Sequence, residues 1–375
     1  MLNKHRLLIW DLPTRLFHWL LVASFTTAWI SFDDNRYLDV HVYAGYLFFS
    51  LLVFRLIWGA VGSRHARFRA FACDWPSVWA YLRGLLNGQA ARHLGHNPAG
   101  AWAIFAMLAL GLAVSLAGIL TLAGEEGHGP LRGLIPYAVG SAAKDAHELL
   151  AWSLLVLTLV HVSGVIVESV FHKNNLIWAM ITGYKETTSP AGGVSKHGVV
   201  AVVMLSVACI FTAMYFRGYL TQTPDKPYVP FQGPPLPDNP TWRTECGDCH
   251  LAFYPVLLPA RSWRKLMAEQ GDHFGEDLSL DAATVAEITG FLAANAAESG
   301  LTEAAHKMND SLSAGHTPLR ITEMPYWRRK HAEIDAAYWQ DKKIGGKNHC
   351  SACHLDAAQG TFEDSAMRLP PLSKN

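Results

Sequence analysis

Residues 144–168, KDAHELLAWSLLVLTLVHVSGVIVE, constrain this chain more than any other stretch, because they are apolar and long enough to cross a bilayer yet hold two imidazoles. His147 and His161 are fourteen residues apart, which on an α-helix is roughly 40° short of four turns and about 21 Å along the axis. Both therefore lie on one face, at two depths. Ionisable side chains are costly inside a membrane and usually functional there. Two stacked histidines point to two groups bound one above the other.

Four more apolar runs accompany this one, at 7–30, 40–58, 101–122 and 198–216. Each is about twenty residues long, which matches the hydrocarbon thickness of a bilayer. The first contains Asp11, Arg15 and His18, is longer than the apolar core of a signal peptide, and lacks a small-residue cleavage site. It reads as a retained helix, entered by an interfacial stretch at 11–13. The second starts with His41 and has Arg55 near its end; the third has no histidine, and its Ala106, Gly111, Ser115 and Gly118 suit close helix contact. The last is apolar without charge and stops before Arg217. Trp10, Trp19, Trp29 and Trp58 fit interface and bundle-packing positions. With only 17% charged residues and a formal net charge of +0, the chain offers no reason to expect a nucleic-acid partner.

Loop charges set an expected orientation. Arg64, Arg67, Arg69, Arg83 and Arg92 face a single acid, Asp74, between runs two and three, and Lys173, Lys185 and Lys196 lie with Glu186 between runs four and five. The alternate loops are acidic, with Asp33, Asp34, Asp39, Glu125, Glu126 and Asp145. The positive-inside rule places the N-terminus in the cytoplasm and, after five crossings, everything beyond Phe216 outside the inner membrane of a bacterium. Residues 223–240 contain seven prolines in eighteen positions, a semi-rigid spacer that marks a boundary. The expected organisation is all-α. A membrane domain at 1–190 is followed by a fifth transmembrane helix within 191–222, a linker at 223–240 and a small, mainly helical or irregular outer domain at 241–375. Helices are expected at 260–270, at 281–298 with Asp281 as N-cap, and at 325–338.

The outer part carries the most specific signal. Cys246-Gly247-Asp248-Cys249-His250 is echoed by Cys350-Ser351-Ala352-Cys353-His354. C-x-x-C-H suits covalent haem: the thiols add to the vinyl groups and the adjacent imidazole ligates iron. A zinc site or a redox dithiol are the competing readings of one copy. Two copies, both on the side where such attachment occurs, favour two c-type haems. Covalently bound groups would also support a domain with little hydrophobic content. Opposite each iron, His273, His306, His316, His331 and His349 are candidates, as are Met267, Met308 and Met324. Cys73 and Cys209 match no ligand spacing and read as inert thiols.

In the membrane part, depth pairs His41 with His147 toward the outside and His18 with His161 toward the inside. Each pair suits one b-type haem. Arg55 shares the face of His41, and Arg15 lies one turn before His18, so either suits a haem propionate as well as the cytoplasmic interface. His96, in GHNPAG, reads as a loop residue that could also flank a propionate or a quinone.

These motifs resemble known families. RLFHW at 15–19, HVYAGY with RLIWG at 41–59, GHNPAG at 95–100 and the His147/His161 run resemble the bacterial cytochrome b561 family, including b-type subunits of nickel–iron hydrogenases, over about residues 5–186. ECGDCH, GDHFGEDLSLD, RITEMPYWRRKH and NHCSACHLDAAQGTFED resemble the dihaem cytochrome c family over about 240–375. The first resemblance implies a four-helix core with two b haems that exchanges electrons with quinone or a partner subunit. The second implies bis-histidine c haems, with His273 opposite His250 and His331 opposite His354.

The expected function is an inner-membrane tetrahaem conduit. Electrons pass between the quinone pool, or another membrane donor, and a soluble periplasmic acceptor, itself expected to be a c-type haem protein. The enzymatic alternative has the outer b haem act on a small molecule such as superoxide; it requires an open cationic pocket, which the acidic loop at Asp33, Asp34 and Asp39 disfavours. Gas binding at a five-coordinate haem is disfavoured by the many distal histidines. A hydrogenase-type b subunit is the remaining alternative.

Overall fold

The computed structural model describes residues 5–187, 192–223, 228–231, 233, 236–313 and 315–373. The chain forms two compact units. One comprises residues 1–121 with 141–222, the other 122–140 with 223–375.

The first unit is built on long apolar helices: α1 (Leu12–Ile30), α2 (Leu38–Val61), α4 (Pro98–Gly124), α5 (Tyr137–Phe171) and α7 (Gly198–Tyr215). Four of them, α2, α4, α5 and α7, are long and apolar enough to cross a membrane. The polar positions Thr14, Arg15 and His18 lower the hydropathy of α1, which packs along α2 and against α7. Phe48 and Leu52 of α2, Leu108 and Val114 of α4 and Leu154 of α5 form the buried centre. A Cβ on Gly111 would come within 2.8 Å of Leu52 Cδ1, so α4 approaches α2 closely only because that position is bare. On α7, Thr212 Oγ1 is hydrogen-bonded to the Tyr43 hydroxyl of α2 at 2.5 Å, and the Tyr215 hydroxyl donates to the Asp39 carbonyl at 3.0 Å.

Asp11 ties three helices together. Fully buried, its carboxylate caps α1 by accepting from Thr14 N at 3.0 Å, accepts from Trp58 Nε1 of α2 at 3.1 Å and lies 3.4 Å from Nδ1 of His197, the residue before α7. A buried carboxylate is tolerable when its oxygens are used in this way. Three shorter helices, α3 (Trp75–Leu86), α6 (Leu176–Thr182) and α8 (Arg217–Thr221), complete this unit.

One element departs from the all-helical expectation. β1 (His5–Leu8) pairs antiparallel with β2 (Tyr184–Thr187), with Leu7 opposite Lys185. Gly183 leads into β2 at φ +88, and a Cβ there would lie 2.6 Å from the Trp10 carbonyl, so the turn requires glycine.

The second unit contains α9 (Pro240–Gly247), α10 (Ala260–Ala268), α11 (Ala282–Ala294), α12 (Glu303–Asp310), α13 (Pro325–Lys330) and α14 (Ala336–Gln340). Asp281 caps α11 as expected, accepting from Ala283 N and Thr284 N. The single helix expected at 325–338 is instead two, because the chain leaves α13 at His331 and is recapped by Asp335. Trp242, Val256, Leu258, Ile288, Leu292 and Met324 form its core. Residues 122–140 belong to this core's periphery. His128 Nε2 lies 3.4 Å from Glu363 Oε1 with both side chains buried, and Tyr137 stacks on His306 at 4.2 Å and 12°. The proline-rich linker reading falls partly on 224–227, 232 and 234–235, outside the described residues.

Candidate functional sites

Three pairs of imidazoles have ring centres at nearly one separation, with the rings tilted or edge-on to each other. His41 on α2 and His147 on α5 have ring centres 6.0 Å apart. His250, after the first C-x-x-C, lies 6.3 Å from His273, and His354, after the second, lies 6.2 Å from His331. Two imidazoles bonded to one metal ion at about 2 Å each put their ring centres roughly 6 Å apart. Direct hydrogen bonding would draw the rings closer. The fourth pair, His18 on α1 and His161 on α5, lies within electrostatic reach of each other.

Backbone carbonyls orient several of these rings. Nδ1 of His41 is 2.9 Å from the Ala28 carbonyl, Nδ1 of His147 is 2.8 Å from that of Val114, and Nδ1 of His331 is 2.8 Å from that of Trp327. His250 Nδ1 lies 2.8 Å from the Leu251 carbonyl. With Nδ1–H donated to a carbonyl, Nε2 keeps its lone pair for a metal. Nδ1 of His18 and of His354 are buried with no hydrogen-bond partner among the described residues. Burial holds His331 and His354 below the usual histidine pKa, and burial followed by the charge of His250 and Arg320 does the same for His273. All three are thus neutral imidazoles at physiological pH, the form that ligates.

Space adjoins one histidine of each pair in the second unit. A cavity of about 540 Å³ beside His331 is lined by Trp327, Arg328, Trp339 and Lys347, and one of about 390 Å³ beside His273 by Leu266, Phe274, Leu319 and Arg320. All four motif cysteines are free thiols. Burial pushes Cys246 and Cys350 up to about 11, so both are protonated thiols at neutral pH. The other candidates fall away: Met267, Met308 and Met324 are core residues, His306 stacks on Tyr137, His316 is exposed, and His349 Nδ1 is held by the Ile344 carbonyl at 2.7 Å. The residues fit haem held by paired imidazoles.

The match to known proteins follows the same division. Residues 9–183 match the prokaryotic cytochrome b561 family, and residues 242–362 the dihaem cytochrome c family. A diheme cytochrome c from Rhodobacter sphaeroides is 43% identical; the match covers all of that protein and 34% of this chain, with a TM-score of 0.31. The chain belongs to the dihaem cytochrome c family, with a cytochrome b561 domain ahead of it. A diheme cytochrome c from Shewanella baltica is 34% identical, covered over 97% of its length and 36% of this chain, with a TM-score of 0.30. Membership rests on sequence identity over these full lengths. The b561 domain is similar to the probable Ni/Fe-hydrogenase B-type cytochrome subunit of Cupriavidus necator, 26% identical over 215 residues, 47% of this chain and 86% of that protein. This is therefore a membrane electron-transfer protein with haem b in the b561 domain and haem c in the dihaem domain.

The sequence does not reveal that Arg55, His96 and Lys185 come together in the first unit. Arg55 is only 4% exposed and Lys185 only 5%. His96 is wedged between the Trp10 and Phe71 rings, at 4.7 and 4.3 Å. Its only sequence signal was its place in GHNPAG.

Gly118 of α4, expected from sequence only to suit close helix packing, also meets the His147 ring. A Cβ there would lie 2.9 Å from Cε1 of His147. Gly118→Ala is expected to displace that ring, with an overpacking cost of about 1–3 kcal/mol, and to alter the optical and EPR signature of one b haem. Spectra identical to wild type would show that the contact is slack.

Proposed function

We propose that the protein is an inner-membrane tetrahaem conduit joining the quinone pool, or another membrane donor, to a soluble periplasmic acceptor. The observation that carries this reading is the recurrence of paired imidazoles: two levels along α5, and one pair at each C-x-x-C-H motif. In this reading His41 and His147 hold the outer b haem, and His18 and His161 the inner. Cys246, Cys249, His250 and His273 hold one c haem; Cys350, Cys353, His354 and His331 hold the other. Arg15 and Arg55 neutralise propionates. The N-terminus lies in the cytoplasm, α1 crosses with the four other long helices, and the dihaem domain is periplasmic.

Bound haem supplies reversible one-electron chemistry at its iron. The protein's own groups fix where that chemistry occurs and at what potential. The Ala28, Val114 and Trp327 carbonyls hold their imidazoles by Nδ1 and leave Nε2 available to ligate. Phe48, Leu52 and Leu154 exclude water between the helices that bear the histidines. Two imidazoles held to each haem iron would leave no open position for a substrate, which favours electron transfer over catalysis on a small molecule.

Anaerobic addition of a quinol analogue to the purified protein, followed optically, is expected to reduce the b-type and c-type bands together. If neither band responds, quinol entry is wrong. The hydrogenase-subunit names carried by the b561 relatives support a second reading, in which a hydrogenase is the donor; hydrogen-dependent haem reduction in native membranes, with no response to quinol, would select it.

A further inference from the structure

We infer that Arg55 and Lys185 together form a buried dication that receives the two propionate carboxylates of the inner b haem, with His96 as a neutral hydrogen-bond donor beside them. This rests on the reading of His18 and His161 as that haem's ligands.

Arg55 comes from α2 inside the bundle, yet no carboxylate lies within ion-pair distance of it among the described residues. Its guanidinium sits over the Phe68 ring at 4.7 Å and near Phe71 at 6.0 Å, and its Nη1 is buried without a hydrogen-bond partner. Lys185 reaches the same region from β2. Its ammonium donates to the Gly95 carbonyl at 3.4 Å and lies 5.6 Å from the Trp10 ring, again with no carboxylate in contact. Burial pulls it down to about 8, while Glu168 acts on it from a distance. The two nearby acids are committed elsewhere: Asp11 to Thr14, Trp58 and His197, and Glu168 to the Asn97 amide. His96, which feels both cations as well as His161, has Nδ1 buried and unpartnered. Burial, then Arg55 and Lys185, push it down to about 3, so the ring is neutral and can donate only an N–H.

A buried cation without a counter-charge is unfavourable, and two that act on one imidazole more so. The complement is a ligand with two carboxylates that arrives without protein of its own. A haem whose iron lies between His18 and His161 brings two such groups on flexible arms. A neutral quinone carbonyl would match the His96 N–H but would leave both charges uncompensated. The strand pair then has a purpose: opposite Leu7, β2 turns Lys185 inward and presents it from outside the helical bundle.

The test uses the full-length protein with Arg55→Gln and Lys185→Met, each close in volume to the original, and Arg55→Lys as the charge-preserving control. Pyridine haemochrome analysis and optical redox titration are the readouts, with the c haems as internal reference. Either neutral variant is expected to lose one of two b haems, or to retain it with a lowered midpoint potential because a positive charge favouring the reduced iron has gone. The other three haems stay unchanged, and Arg55→Lys recovers most of the effect. Full b-haem content with unmoved potentials in both neutral variants overturns the assignment, whether or not quinol affinity falls. Should Arg55→Gln fail to accumulate, Lys185→Met, on a peripheral strand, decides alone. A wild-type protein with fewer than two b haems would instead overturn the histidine-pair reading on which the site depends.

Discussion

Replacing His147 by alanine is expected to halve the b-type haem of the purified protein and leave both c-type haems in place. His147 faces His41 at 6.0 Å, and its Nδ1 is pinned by the Val114 carbonyl, so no neighbouring side chain is placed to substitute for it. The inner pair lies about 21 Å away along the same helix and uses a different partner, His18 on α1, so its haem should be retained. The variant should also lose electron delivery to the c haems from quinol, because one station of the path is missing. Pyridine haemochrome analysis gives the ratio directly. Retention of both b haems would remove His147 from the ligand set. Loss of both would mean that the two pairs are a single cooperative unit rather than two independent sites.

The double substitution Cys350→Ser with Cys353→Ser should remove one covalent haem and destabilise the dihaem domain. Beside His331, whose ring lies 6.2 Å from that of His354 in this motif, the protein leaves about 540 Å³ of space walled by Trp327 and Trp339. Without its covalent occupant that volume must collapse or fill with water. The cost should be on the order of 3 kcal/mol, comparable with truncating a large core side chain, which lowers the melting temperature by roughly 10 °C in a domain of this size. Haem staining after denaturing electrophoresis reports the covalent loss, and near-UV circular dichroism the melting. His273 adjoins a separate cavity, lined by Leu266, Phe274, Leu319 and Arg320, so the haem of the His250–His273 site should survive. A protein with unchanged stain intensity would disprove attachment at Cys350 and Cys353.

Much of this was legible in the sequence because the signals are local. The spacing of His147 and His161 reports a shared helix face whatever the tertiary structure, and each C-x-x-C-H motif needs only five adjacent residues. Asp281 announced its helix by a side chain that caps two residues later. Pairing histidines on different helices required only depth, which the apolar runs supply. The strand pair was invisible for the opposite reason. HRLL and YKET have no alternation of apolar and polar residues, and the register joins His5 to Thr187 across nearly half the chain. Lys185 therefore read as one more cytoplasmic charge, since nothing nearby in sequence says that it is turned inward. The helix α3 was missed although its start was marked: Asp74 precedes Trp75-Pro76 and accepts from Ser77 N, an N-cap with proline in the first turn. The break between α13 and α14 was likewise signalled by Asp335, but the aromatic run through 338 concealed it.

The pairing of His128 with Glu363 and of Tyr137 with His306 joins parts of one unit that lie far apart in sequence. Residues 122–140 are synthesised long before His306 and Glu363, so the contact with Glu363 cannot close until residue 363 has been made. Both C-x-x-C-H motifs, at 246–250 and 350–354, are made before that point. The chain order thus sets a timetable: both cysteine pairs exist before the earlier segment meets its last partner.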